Sequence, residues 1–160
     1  MDLAISGHNV FIGGKPGTGK TYTVKRIEKT LKKTKHVKVT CTTGMACSLY
    51  DKAMTIHSFA GINDSKLNVD SLVNSIKSRE SCKQRWIETD CLVIDEVSQL
   101  SAKNFEVLNI LAQRVRGREE LFGGLQLICV GDFFHLPPIQ SAVDEGKYCF
   151  KSPLWKHSFG

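Results

Sequence analysis

Apolar residues gather into four short runs, residues 8–13 (HNVFIG), 37–41 (VKVTC), 91–95 (CLVID) and 125–131 (LQLICVG), and between these they recur at helical spacing. Near-continuous apolar runs of this length suit strands buried on both faces, and their alternation with helical stretches predicts a parallel sheet covered by crossover helices. Residues 21–33 bring Val24, Ile27 and Leu31 to one helical face, and residues 102–115 do the same with Phe105, Leu108, Leu111 and Val115. Both are expected to pack on the sheet as connections. A more polar stretch, residues 63–88, carries Leu67, Val69, Leu72, Val73 and Ile76 at the spacing of one short amphipathic helix, and reads as a connection between strands. Residues 117–124 (GREELFGG) form a turn-rich exit into the last run, and no internal repeat is visible.

The chain has 160 residues, 41% of them hydrophobic and 24% charged, with no low-complexity segment. One globular domain is expected. No apolar run approaches the roughly 20 residues that span a bilayer, and the start, MDLAISGHNVF, lacks the layout of a secretion signal, so the protein is expected to be soluble, intracellular and free of membrane. Nucleus, mitochondrion and viral replication site are not distinguished. The six cysteines form no CxxC pair, and Cys91 and Cys129 lie inside strand-like runs, so reduced, buried thiols are expected rather than disulfides or zinc. A net charge of +6 favours an anionic partner such as nucleic acid. Part of that excess sits in residues 25–38 (KRIEKTLKKTKHVK), where two readings stand: the solvated face of a helix, or phosphate contacts.

Two motifs carry the chemistry. Gly14, Lys15, Pro16, Gly17, Thr18, Gly19, Lys20 and Thr21 match GxxxxGK[ST], directly after an apolar strand and directly before a helical pattern that opens with Tyr22. Such a loop turns successive amides onto an anion at a helix start, where the helix dipole adds positive potential. Lys20 is then expected to reach the β- and γ-phosphates of ATP, with the Thr21 hydroxyl on Mg2+. The second motif is the strand end CLVID followed by Glu96, in which Asp95 is expected to hold magnesium through water while Glu96 polarises the attacking water.

Beyond these motifs the sequence resembles the Pif-type (petite integration frequency) helicases, 5′-to-3′ DNA helicases of superfamily one related to RecD. The segments NVFIGGKPGTGKT, TTGMACSLYDKAMTIHSFAGI, CLVIDEVSQLS and LFGGLQLICVGDFFHLPPI carry the likeness in the family's order and cover most of the chain. The resemblance implies a RecA-like P-loop NTPase domain of α/β class, a mostly parallel sheet with helices on both faces. It further implies a monomeric helicase that acts on single-stranded DNA in replication, repair or recombination. Thr43, Gly44 and Met45 fall in the segment that links the ATP site to DNA, and His57, Ser58 and Phe59 in a following DNA-contacting segment. For Phe59 a base-stacking surface and a core ring both stand as readings, and for His57 a DNA contact and a structural hydrogen bond.

His135 occupies the place where relatives carry a glutamine that senses the γ-phosphate, a role an imidazole can fill with added pH sensitivity. The resemblance also implies a second RecA-like lobe with an arginine reaching the γ-phosphate, and no such sequence lies within residues 1–160. A lobe by itself is expected to bind nucleotide and hydrolyse it poorly. The alternative function is a nucleotide-gated DNA-binding module that does not translocate. A small-molecule kinase is disfavoured, because no arginine-bearing lid is evident.

Overall fold

The computed structural model describes residues 2–15, 17, 19–62, 68–134, 138, 144 and 146–159. In chain order the elements are α1 (Asp2–Ile5), β1 (Val10–Gly13), α2 (Lys20–Leu31), β2 (Val37–Cys41), α3 (Gly44–Cys47), β3 (Met54–Thr55) and α4 (Ile56–Ala60). There follow α5 (Val69–Ser78), α6 (Glu80–Glu88), β4 (Cys91–Asp95), α7 (Ala102–Arg116), β5 (Gln126–Gly131) and α8 (Pro153–Phe159), with 3-10 turns at Val97–Gln99, Leu121–Gly124 and Cys149–Lys151. The strands form one sheet in the order β1-β5-β4-β2-β3, and every pairing is parallel.

The apolar runs explain this sheet. All five residues of β4 and all six of β5 are buried, the signature of central strands covered on both sides. Because successive side chains alternate between faces, Leu92, Ile94, Leu127 and Cys129 enter the larger core with α4 to α7, while Cys91, Val93, Ile128 and Val130 enter a smaller one with α1 and α2. Val24, Ile27 and Leu31 pack α2 into the smaller core, as their spacing predicts, and Phe105, Leu108, Leu111 and Val115 pack α7 into the larger. Ser101 caps α7 by accepting the Asn104 amide at 3.1 Å, and Gly117 ends it in the left-handed conformation that its missing Cβ permits.

The structure adds two elements to this reading and corrects it at one pair of cysteines. Residues 63–88 hold the expected short helix, α5, which buries Leu72, Val73 and Ile76 as predicted, and a second helix the spacing did not announce, α6, which adds Cys82 and Trp86 after an extended break at Arg79. Leu67 lies outside the described residues. The strand β3 was not anticipated, because two half-buried residues leave no periodicity to read. Finally, Cys41 and Cys47 form a disulfide rather than remaining thiols. The chain turns sharply after β2, where the Thr43 hydroxyl caps α3 by accepting the Ala46 amide at 3.2 Å, and this leaves the two cysteine Cα atoms 5.6 Å apart, within bridging range. Cys82, Cys91, Cys129 and Cys149 are buried free thiols as expected.

Candidate functional site

A parallel sheet delivers the loops after its strands to one edge, and the two sequence motifs meet there. Gly17, Gly19, Lys20 and Thr21 from the loop after β1 share a cleft of about 390 Å³ with Asp95 and Glu96 from the end of β4. Gly131 and Asp132 close it from β5. The volume falls among ordinary small-ligand sites.

The loop's glycines serve backbone shape rather than space. Gly17 and Gly19 have φ near +83 and +84, yet a Cβ at either would meet nothing within 4 Å. Gly19 is the N-cap of α2 and supplies no side-chain cap, so no capping side chain claims the first amides of that helix, whose opening residues line the cleft. Lys20 folds back over the loop, its Nζ donating to the carbonyls of Gly14 and, at 3.0 Å, of Lys15.

At the end of β4 the two acids diverge. Asp95 is buried, its Oδ1 accepting the Glu96 amide and its Oδ2 the Tyr50 hydroxyl, each at 2.7 Å. Glu96 takes the left-handed conformation, φ 58, uncommon for a residue with a side chain. The Thr42 hydroxyl secures it by donating to the Glu96 carbonyl at 2.9 Å, and Gln99 Nε2 donates to Glu96 Oε2 at 3.0 Å. Opposite them, Gly131 lets β5 run close to this turn: a Cβ there would stand 3.1 Å from the Val97 nitrogen. Burial first, then the Asp95 hydrogen bond and charge, push the Tyr50 phenol well above its ordinary pKa, so it remains a proton donor across the physiological range.

Other expected site residues fare differently. Tyr22 is exposed on α2 with the Arg26 guanidinium 5.7 Å from its ring centre. Pro16, Thr18 and His135 lie outside the described residues. Thr43, Gly44 and Met45 open α3 immediately after β2, with Met45 largely exposed. His57 and Ser58 lie in α4 after β3, where Thr55 accepts the Ser58 amide at 3.2 Å and donates to the Ser58 hydroxyl at 2.8 Å. Phe59 departs from the stacking reading. Its ring is wholly buried, edge-on to Trp86 with centroids 5.2 Å apart, so in this structure it is a core residue with no face free for a base.

Sequence reading missed Tyr50, Thr42 and Gln99, whereas Gly131 and Asp132 reach the cleft as the run after the last strand implies. A lone aromatic in the polar stretch SLYDK is the sole sequence signal for Tyr50. Within the lysine-rich stretch Glu28 pairs with Lys32 at 2.9 Å, and Lys35 donates to Gln126 Oε1 at 3.2 Å, away from the cleft. The first contact suits a solvated helix face, and the second ties the turn after α2 to β5.

A parallel sheet with helices on both faces, whose glycine-rich loop and strand-end acids share a cleft at one edge, defines a RecA-like P-loop NTPase domain. A sequence model described as PIF1-like helicase matches residues 3–159. The chain belongs to that family. It is 38% identical over 156 residues to the ATP-dependent DNA helicase PIF1 of Xenopus laevis, covering 98% of this chain and 24% of that protein. Among solved structures, the Pif1 helicase of Candida albicans superimposes with a TM-score of 0.92 at 35% identity, covering 99% of this chain and 36% of that one. A Bacteroides Pif1 helicase in complex with ADP-AlF3 and single-stranded DNA gives 0.77 at 28% identity, covering 96% and 36%. The chain thus spans about a quarter of the length of that curated relative.

Proposed function

We propose that this chain is the first motor lobe of an ATP-dependent DNA helicase, which binds Mg-ATP in the cleft and single-stranded DNA along α3 and α4. The supporting observation is the shared cleft of Lys20, Thr21, Asp95 and Glu96. Thr21 and Asp95 supply the hard oxygen donors that magnesium prefers, and the buried Asp95 carboxylate is held by two donors in an orientation it need not search for. Bound magnesium would neutralise charge on the β- and γ-phosphates.

In this reading the uncapped amides of α2 receive phosphate oxygens, and Lys20 exchanges its loop carbonyls for the β- and γ-phosphates. Glu96, fixed in backbone and turned toward Gln99, orients water. Thr43 to Met45 and His57 with Ser58 lie after neighbouring strands β2 and β3 at the same sheet edge, and there they meet the DNA backbone. His135 senses the γ-phosphate, and a second lobe of the parent protein completes the ATP site and permits 5′-to-3′ stepping. The related Bacteroides helicase, whose complex holds both ADP-AlF3 and single-stranded DNA, supports pairing these two ligands.

The test is direct. Fluorescent ATP and a labelled oligonucleotide should both bind the 160-residue chain, and Lys20→Ala should weaken the nucleotide by roughly tenfold or more, the worth of a charged hydrogen bond. Absence of nucleotide binding, or a Lys20→Ala variant that binds as well as wild type, would refute it. In the complete protein, unwinding of 5′-tailed but not 3′-tailed duplexes, and reduced turnover in His135→Ala, are expected. Unwinding confined to 3′ tails refutes the direction, and unchanged turnover refutes the sensor.

A further inference from the structure

The side chain that fixes the metal carboxylate comes from an unexpected place. Tyr50 follows α3, in the turn between the two stretches proposed to meet DNA, and is buried with its hydroxyl donating to Asp95 Oδ2 at 2.7 Å. The Thr21 side chain is a further polar neighbour of that phenol. Lys25, one helical turn beyond Thr21 on α2, places its ammonium 6.0 Å from the centre of the Tyr50 ring. One side chain therefore bonds to the end of β4, at Asp95, and lies beside α2, the helix that carries Thr21.

We infer that Tyr50 is a positioning residue for the magnesium site: its hydroxyl orients the Asp95 carboxylate relative to Thr21, and so ties the α3 segment to the metal. The inference rests on the nucleotide-site reading above. A phenol suits the task because it donates one hydrogen bond without adding charge. With Oδ2 held by Tyr50 and Oδ1 by the Glu96 amide, the carboxylate cannot swing, and its remaining lone pairs stay directed toward the cleft. Phenylalanine would preserve the ring and its packing and remove only this restraint. The tie also gives the segment that begins at Thr43 a short route to the metal, since Met45 and Leu49, both exposed, lie within five residues of Tyr50.

The experiment titrates magnesium into the 160-residue chain bearing N-methylanthraniloyl-ADP, comparing wild type with Tyr50→Phe. Partners that orient a metal ligand are typically worth about 10- to 100-fold in metal affinity, so the half-saturating magnesium concentration should rise by roughly tenfold or more. Affinity for the nucleotide in EDTA should stay unchanged, a split that a general loss of structure would not produce. On an Asp95→Asn background the same substitution should add nothing. A half-saturation point within about twofold of wild type, or losses that simply add, overturns the inference and leaves the nucleotide site standing. No magnesium-dependent tightening in wild type overturns the site reading, and the inference with it. A measurement that needs no Tyr50 variant is 19F NMR of the 3-fluorotyrosine-labelled chain, with Tyr22 and Tyr148 replaced by phenylalanine: the Tyr50 resonance should shift when magnesium joins bound ADP, and an unmoved resonance overturns the inference.

Discussion

Replacing Phe59 separates a core ring from a DNA-stacking ring, because the two roles predict losses in different measurements. The ring is wholly buried, packs edge-on against Trp86, and belongs to the core beneath α4 to α7. Truncating a buried phenylalanine to alanine costs about 3 to 5 kcal/mol, through lost transfer energy and the cavity left behind. The value here should sit in the upper half of that range. An edge-to-face aromatic pair adds roughly 0.5 to 1.5 kcal/mol beyond area, and the Trp86 indole that frames the site is itself fixed by a 3.2 Å hydrogen bond to the Ala60 carbonyl, which limits collapse into the cavity. For a domain of this size each kcal/mol moves the melting midpoint by about 2 to 4 °C, so Phe59→Ala should melt roughly 10 °C or more below wild type in circular dichroism. Phe59→Leu, which keeps most of the volume, should bind a labelled oligonucleotide within about twofold of wild type. A lost stacking contact would instead remove roughly 1 to 3 kcal/mol of DNA affinity. A Phe59→Ala melting point within about 2 °C of wild type, or a stable Phe59→Leu variant that loses tenfold in DNA affinity, would refute the core assignment.

Three further outcomes follow from the cleft and the core. Glu96→Gln preserves shape and the tie to Gln99 while removing the charge that orients water, so hydrolysis by the complete protein should fall by about 10² to 10⁴ while nucleotide affinity holds; turnover within threefold of wild type would sink the role. Burial pushes the thiols of Cys91 and Cys149 from 9.0 up to about 12 and raises Cys129 as well. These groups bind their protons more tightly folded than unfolded, so their contribution to stability is complete below pH 9 and is lost as pH climbs from 9 toward 12. Urea midpoints should therefore decline over that window, and a thiol reagent near neutral pH should leave all three cysteines unmodified until the chain unfolds; rapid native labelling of any of them would contradict the burial.

How far the sequence could be read depended on how much of each signal was local. The strands β4 and β5 were legible because every residue in CLVID and in LQLICVG except Gln126 and the terminal glycine and aspartate is apolar, a demand that only a sheet covered on both sides imposes. The phosphate loop and the acids were legible because their chemistry needs fixed spacing. Phe59 was not, since the same ring serves as a stacking platform or a core anchor according to Trp86, a partner far along the chain whose α6 helix was itself unforeseen. Tyr50 was hidden for a related reason: its meaning lies in a hydrogen bond to a residue 45 positions away. The disulfide escaped because nothing in the spacing of Cys41 and Cys47 declares the hydroxyl-capped turn that folds one over the other.

The position of β1 has a bearing on how the protein comes into being. Within the described sheet its one neighbour is β5, with Val10 beside Ile128, and the Asn9 side chain accepts the Leu127 amide across a separation of 118 residues. Synthesis proceeds from the N-terminus, so within the described sheet β1 has no strand to pair with until β5 has emerged from the ribosome. The glycine loop that follows it waits equally long. Nascent chains short of β5 would accordingly lack a settled phosphate cradle, and nucleotide could reward folding only after β1 and β5 have paired and the long loop between them has been closed.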